Sequence, residues 1–130
     1  MQEKTSLFQR LGGDAAVSAA VEVFYDKVLA DGHLNGFFVG MDMARQKQHM
    51  ERFLSLASGG PNTYTGRGMR AAHARLVTTM GLGDSHYDAV VAHLVAALQE
   101  LGVPPEVVDE VGVVVESVRN DVLNRPPMGA

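Results

Sequence analysis

Apolar residues recur along this chain at three- and four-residue spacings, interrupted by short polar clusters rich in glycine. Leu7, Phe8 and Leu11 predict a short first helix that stops at Gly12-Gly13, after which Asp14 is placed as an N-cap. Val17, Val21, Phe24, Tyr25 and Val28 then describe one face of a second helix, broken at Asp31-Gly32-His33. A compact apolar patch follows at Leu34 and Phe37-Phe38-Val39. The next helix is predicted from Asp42, its cap, to Ser58, and closes at Gly59-Gly60-Pro61. Residues 59–68, GGPNTYTGRG, read as a loop.

Beyond that loop, Met69, His73, Leu76, Val77 and Met80 share a helical face that ends at Gly81-Leu82-Gly83-Asp84. Val90, Val91, Leu94, Val95, Leu98 and Leu101 mark another helix, ended by Gly102. Pro104-Pro105 opens the last, where proline is tolerated in the first turn. Its stripe runs Val107, Val111, Val114, Val115, Val118 and Val122, as one helix up to Pro126-Pro127. The valines of 111–115 suit a strand by propensity, but their 4-7-8-11 spacing and the proline start favour a helix. No hairpin dipeptide separates alternating segments. The expectation is an all-α fold in one domain spanning residues 1–130, with its core over about 5–124.

Composition narrows the function classes. A chain of 130 residues with 46% apolar and 20% charged positions builds an ordinary globular core. The net charge of -4 argues against a nucleic-acid partner, whose footprint is a basic patch. Without cysteine there are no disulfides, thiolate ligands or thiol nucleophiles. No stretch approaches the ~18 apolar residues of a membrane span, and no signal peptide is legible, so no membrane partner and a cytoplasmic location are expected. No GxSxG, HExxH, Walker loop or dinucleotide fingerprint occurs, and Gly66-Arg67-Gly68 follows no strand.

The candidate chemistry lies in a few polar residues on otherwise apolar faces. His73 sits beside Leu76 and Val77, a poor place for an imidazole without a partner. A hydrogen-bonded core histidine satisfies that constraint, and so does a ligand to iron, since haem iron takes neutral imidazole from such a helix. Gln46, His49, Met50 and Phe53 fall within about a 100° arc of one helix. That mixture suits the wall of a ligand pocket better than a core. Tyr25 lies on the apolar stripe of the second helix, where a buried hydroxyl needs a partner; the core edge with its hydroxyl in water is the other reading. His33, His86 and His93 are expected in surface roles, with His93 exposed.

Several segments together carry a resemblance: LFQRLGG at 7–13, VFYDKVL at 23–29, FFVGMDMARQKQHMERFL at 37–54, GRGMRAAHARL at 66–76 and DVLN at 121–124. In this order and spacing they resemble the truncated haemoglobins of group I, its cyanobacterial members in particular. The resemblance implies a shortened globin fold, a two-over-two helical sandwich around non-covalent haem b. His73 matches the proximal iron ligand. Tyr25, Gln46, His49, Met50 and Phe53 match the distal side, with Phe53 bordering a ligand route and His49 a possible sixth iron ligand. Phe38, Arg45, Tyr64 and Met69 match other haem-lining positions, Arg45 at a propionate. Some relatives bond a histidine of the last helix to a haem vinyl; Val118 stands there, so no such crosslink is expected. Gly68 departs from a bulkier aromatic residue in those relatives.

The function implied is reversible binding of O2, NO and CO, with NO dioxygenation and an unidentified reductase partner as further implications. The rival reading is a bis-histidine electron-transfer or redox-sensing protein, with His49 and His73 both on iron.

Overall fold

A computed structural model of the chain describes residues 6–57 and 66–124, with the side chains of all but 56–57 and 66–72. Seven helices occur among them: α1 (Leu7–Leu11), α2 (Gly13–Leu29), α3 (Met43–Ala57), α4 (Gly66–Met80), α5 (Asp84–Glu100), α6 (Pro105–Ser117) and α7 (Arg119–Val122), with a 3-10 turn over Asn35–Phe38. No strand is present among the described residues. The all-α expectation holds.

Local chemistry explains most boundaries. Ser6 opens α1 with a reciprocal box, its hydroxyl accepting the Gln9 N–H while the Gln9 side-chain oxygen accepts the Ser6 N–H. Gly12 then ends α1 and begins α2 at φ 116°, and a Cβ there would lie 2.8 Å from that of Ala16. Asp14 therefore does not cap α2 as expected. It lies in the first turn, where its charge favours the helix N-terminus without a side-chain bond. Asp42 does cap α3: its carboxylate accepts the Arg45 N–H at 3.3 Å.

Two boundaries differ from the sequence reading. α4 starts at Gly66, inside the stretch read as loop to residue 68; two glycines lower helix propensity there without forbidding a helix. The final valine stripe is also not one helix. Ser117 donates its hydroxyl to the Val114 carbonyl, and the turn tightens to a Val118 N–H bond on the Val115 carbonyl. The chain breaks at Val118 and restarts as α7. The stripe itself is preserved, because Val107, Val111, Val115, Val118 and Val122 are all buried.

The helices pack as two pairs, α2 with α3 and α5 with α6, joined face to face by α2 against α5, while α4 packs against α7. Val17, Val21, Phe24 and Val28 of α2 meet Leu94, Ala97 and Leu98 of α5 within one core. Two pairs, one over the other, make the expected two-over-two sandwich. No helix among the described residues is long and apolar enough to cross a membrane.

Candidate functional site

The face of α2 that fills the core also carries a phenol. Tyr25 is 2% exposed, wedged between Phe24, whose ring stands edge-on at 4.8 Å, and Phe38, edge-on at 5.7 Å. Its hydroxyl accepts a hydrogen bond from Nε2 of Gln46 on α3, at 3.0 Å. Burial pushes its pKa above the ordinary tyrosine value, and the Gln46 bond offsets part of that rise. The phenol is thus a neutral donor at physiological pH. Gln46 has used an amide proton on the hydroxyl oxygen, and no acceptor for the phenol's own proton occurs among the described residues.

The other expected site residues divide into three groups. Met50, Phe53 and Phe38 are half-buried, all packed against the core. Arg45 and His49 are exposed on α3. His73 is half-buried on α4, the helix that packs against α7. Tyr64 lies outside the described residues, and Met69 falls on α4 within the stretch whose side chains do. Among the expected residues, direct contacts join Tyr25 to Gln46 and to Phe38.

An apolar cavity of about 180 Å³ lies elsewhere, where α1, α2, α3, α5 and α6 meet, lined by Leu11, Ala16, Ala20, Leu54, Leu94 and Val111 among others. Leu54, the neighbour of Phe53, borders it; Tyr25, Gln46 and His73 do not. Ala20 stands five residues before Tyr25, roughly 7.5 Å along the α2 axis. The polar pair and this cavity are therefore successive places along one helix.

Two polar features escaped the sequence reading. His93 is not exposed. Its side chain is about one-quarter accessible, and Nε2 lies 2.8 Å from the Asp31 carboxylate. Arg119, in the valine stripe's polar interval, pairs with Asp84, Asp88 and Glu116 and lies 4.6 Å above the Tyr87 ring. His93 and Asp31 are 62 positions apart and Arg119 and Asp84 are 35, so no local pattern announces either contact.

Known proteins agree with this geometry. The model of the bacterial-like globin family matches residues 6–124. A group 1 truncated haemoglobin of Synechocystis is 44% identical over 93% of this chain and 99% of its own length. One from Tetrahymena thermophila is 41% identical over 96% of this chain and 100% of its own. In structure, the 2/2 haemoglobin of Synechococcus, crystallised in a cyanomet state with covalently attached haem, superposes with a TM-score of 0.88 at 54% identity, covering 93% of this chain and 100% of that one. With its two-over-two helices and with these relatives matched along nearly their whole length, the chain belongs to the group 1 truncated haemoglobins, a family of haem-based gas binding.

Proposed function

We propose that this protein binds O2, and with it NO and CO, reversibly at a non-covalent haem b, with His73 as the proximal ligand and Tyr25 and Gln46 facing the gas. The observation that carries the reading is the uncommitted proton of the buried Tyr25 hydroxyl. A donor of this kind, desolvated and oriented from its far side by an amide, has no structural task in the core. It suits a ligand that draws negative charge when bound.

The residues fit the cofactor. α4 offers a half-buried imidazole at His73, α2 and α3 offer the polar pair, and Phe38 and Met50 offer apolar contact for a flat macrocycle. Arg45, exposed at the start of α3, would meet a propionate, with Tyr64 and Met69 as further contacts. When bound, the haem supplies an iron centre that takes up diatomic gases and changes oxidation state. Val118 carries no nucleophile, which supports non-covalent attachment. Phe53, half-buried beside cavity-lining Leu54, would border the path of ligand entry.

Conversion of NO to nitrate, which consumes O2 and one electron per NO, is the activity proposed for this site. The electron calls for a reductase. Stopped-flow mixing of the oxygenated protein with NO, with nitrate measured, tests it: stoichiometric nitrate at a rate well above that of autoxidation is expected, and its absence leaves a gas-binding protein alone. His49 is three residues beyond Gln46, and its exposed side chain would have to turn inward to become a sixth ligand. A five-coordinate, high-spin spectrum of the ligand-free ferrous protein between about pH 6 and pH 9 would exclude that role and the bis-histidine reading with it.

A further inference from the structure

Three histidines lie outside the site described above; two stack, and the third is linked to them through Asp31. The rings of His33 and His86 stack at 4.3 Å, 18° from parallel. His33 Nε2 lies 3.1 Å from the Ser85 hydroxyl, and His86 Nδ1 accepts the Gly83 N–H at 3.0 Å, capping α5. The backbone before the stack is fixed by Asp31, whose carboxylate accepts the His33 N–H at 2.9 Å while its other oxygen meets His93. His86 and His93 are seven residues apart on α5, hence on one face. That face holds the segment 31–38. These groups do not gather as a metal site.

The 3-10 turn in this segment ends in two adjacent phenylalanines that contact different partners. Phe37 stands edge-on to His86 at 4.9 Å, and Phe38 stands edge-on to Tyr25 at 5.7 Å. One short turn therefore touches the imidazole stack with one ring and the distal tyrosine with the next. We propose that the His33–His86 stack is a positioning device for Tyr25, acting through Phe37 and Phe38, and that protonating the stack loosens Tyr25.

The chemistry sets the direction. A protonated His86 has no lone pair for the Gly83 N–H, and two imidazolium rings at stacking distance repel. Burial, then the charge of His33, holds the His86 pKa below the ordinary histidine value. His86 therefore keeps its lone pair for the Gly83 N–H at neutral pH, and that bond is lost as pH falls through the lowered value. Asp31 works in the opposite sense. The His93 bond, then the His33 N–H, keeps its carboxyl below the usual carboxylate range, so the Asp31–His93 tie survives while the stack charges. The other charged groups here are Asp84 and Asp88 on α5, both held by Arg119 of α7. In acid the segment stays tethered at Asp31 and loses its hold at residues 33–38.

The proposal rests on Tyr25 as the donor to bound gas, and the test separates the two. In the ferrous carbonyl form of the whole chain, the ring signals of Phe38 and Tyr25 are followed by NMR alongside the His33 and His86 imidazoles over about pH 5 to 7.5, the range of histidine titration. The Phe38 and Tyr25 signals should move along the His86 curve. His33→Phe keeps a stacked ring and removes the charge that, with burial, holds the His86 pKa down, so the His86 curve, and with it the Phe38 and Tyr25 movement and the pH dependence of O2 release, should shift to higher pH. His86→Ala should speed O2 release about three- to tenfold, a partial loss of one donor bond, at every pH.

Phe38 and Tyr25 signals indifferent to His86 titration would overturn the proposal, as would a His33→Phe protein with the parent's pH profile. If His86→Ala does not fold, His33→Phe carries the test. Should Tyr25→Phe leave O2 release unchanged, the gas-donor reading fails, and the NMR coupling still judges the stack.

Discussion

Two buried tyrosines divide this molecule. Tyr87, 5% exposed on α5, donates its hydroxyl proton to the Val115 carbonyl of α6 and lies beneath the Arg119 guanidinium. Arg119 is in turn held by carboxylates from two helices, which keep its pKa raised, Glu116 foremost. Tyr25, 2% exposed on α2, accepts from Gln46, and its own proton meets no acceptor among the described residues. Burial alone does not distinguish the two. The fate of the phenol proton does: at Tyr87 it joins α5 to the α6–α7 break, and at Tyr25 it takes no acceptor among the described residues. A buried donor without an acceptor is a cost to folding, and that cost supports the proposal that Tyr25 faces a ligand.

The sharpest break in the comparison removes the proximal side altogether. His73→Gly should weaken hemin retention roughly a hundredfold, about 3 kcal/mol, measured by transfer of hemin to an acceptor protein, while the helical content of the chain is kept. Retention equal to the parent would remove His73 from the site and leave Tyr25 without a haem to face.

The tyrosines themselves come next, as a reciprocal pair. Tyr25→Phe should speed O2 dissociation about ten- to a hundredfold, from loss of a donor worth roughly 1.5–3 kcal/mol, with little change in thermal midpoint. Tyr87→Phe should do the reverse: O2 dissociation within about twofold of the parent, and a stability loss of about 0.5–1.5 kcal/mol from the lost hydroxyl bond to the Val115 carbonyl, which keeps its Val118 N–H. If both substitutions move the same observable, the division between ligand-facing and structural phenol is wrong.

Arg119 sharpens the structural half. Its carboxylate partners are all largely exposed, so each pair contributes modestly, and with the ring contact Arg119→Ala should cost about 2 kcal/mol in urea unfolding. Arg119→Lys should recover less than half of it, since an ammonium cannot present the planar fork that meets three carboxylates. Full recovery by lysine would mean that charge alone, and not the fork, holds the junction.

The smallest effect is alkaline. The Tyr25 pKa is raised by burial, so the native state resists ionising a group that the unfolded chain ionises near about pH 10. Its contribution to stability is complete below that value and is lost as pH rises toward and through the raised one. Absorbance at 295 nm should show Tyr25 ionising above the ordinary tyrosine value, and Tyr25→Phe should remove that transition.

The sequence by itself determined the helices and the faces they bury. Three- and four-residue spacing is a local property, and glycine, proline and capping residues mark its ends locally; hence Gly12, Asp42, Gly102 and Pro105 fall at or beside real boundaries. It also singled out Tyr25 and Gln46, because a polar group on an apolar stripe is visible in the pattern. Ser6 and Gln9 are legible in the same local way as a capping box. What the pattern could not hold was pairing at a distance. The split at Val118 sits within an unbroken apolar stripe, so periodicity gave no sign of it. The three carboxylates on Arg119, the Asp31–His93 tie and the His33–His86 stack join residues whose meeting depends on how α2, α5 and α7 pack. Only the tertiary structure decides which protons are committed and which are left for a ligand, since a hydrogen bond requires two atoms about 3 Å apart and the chain order does not state that distance.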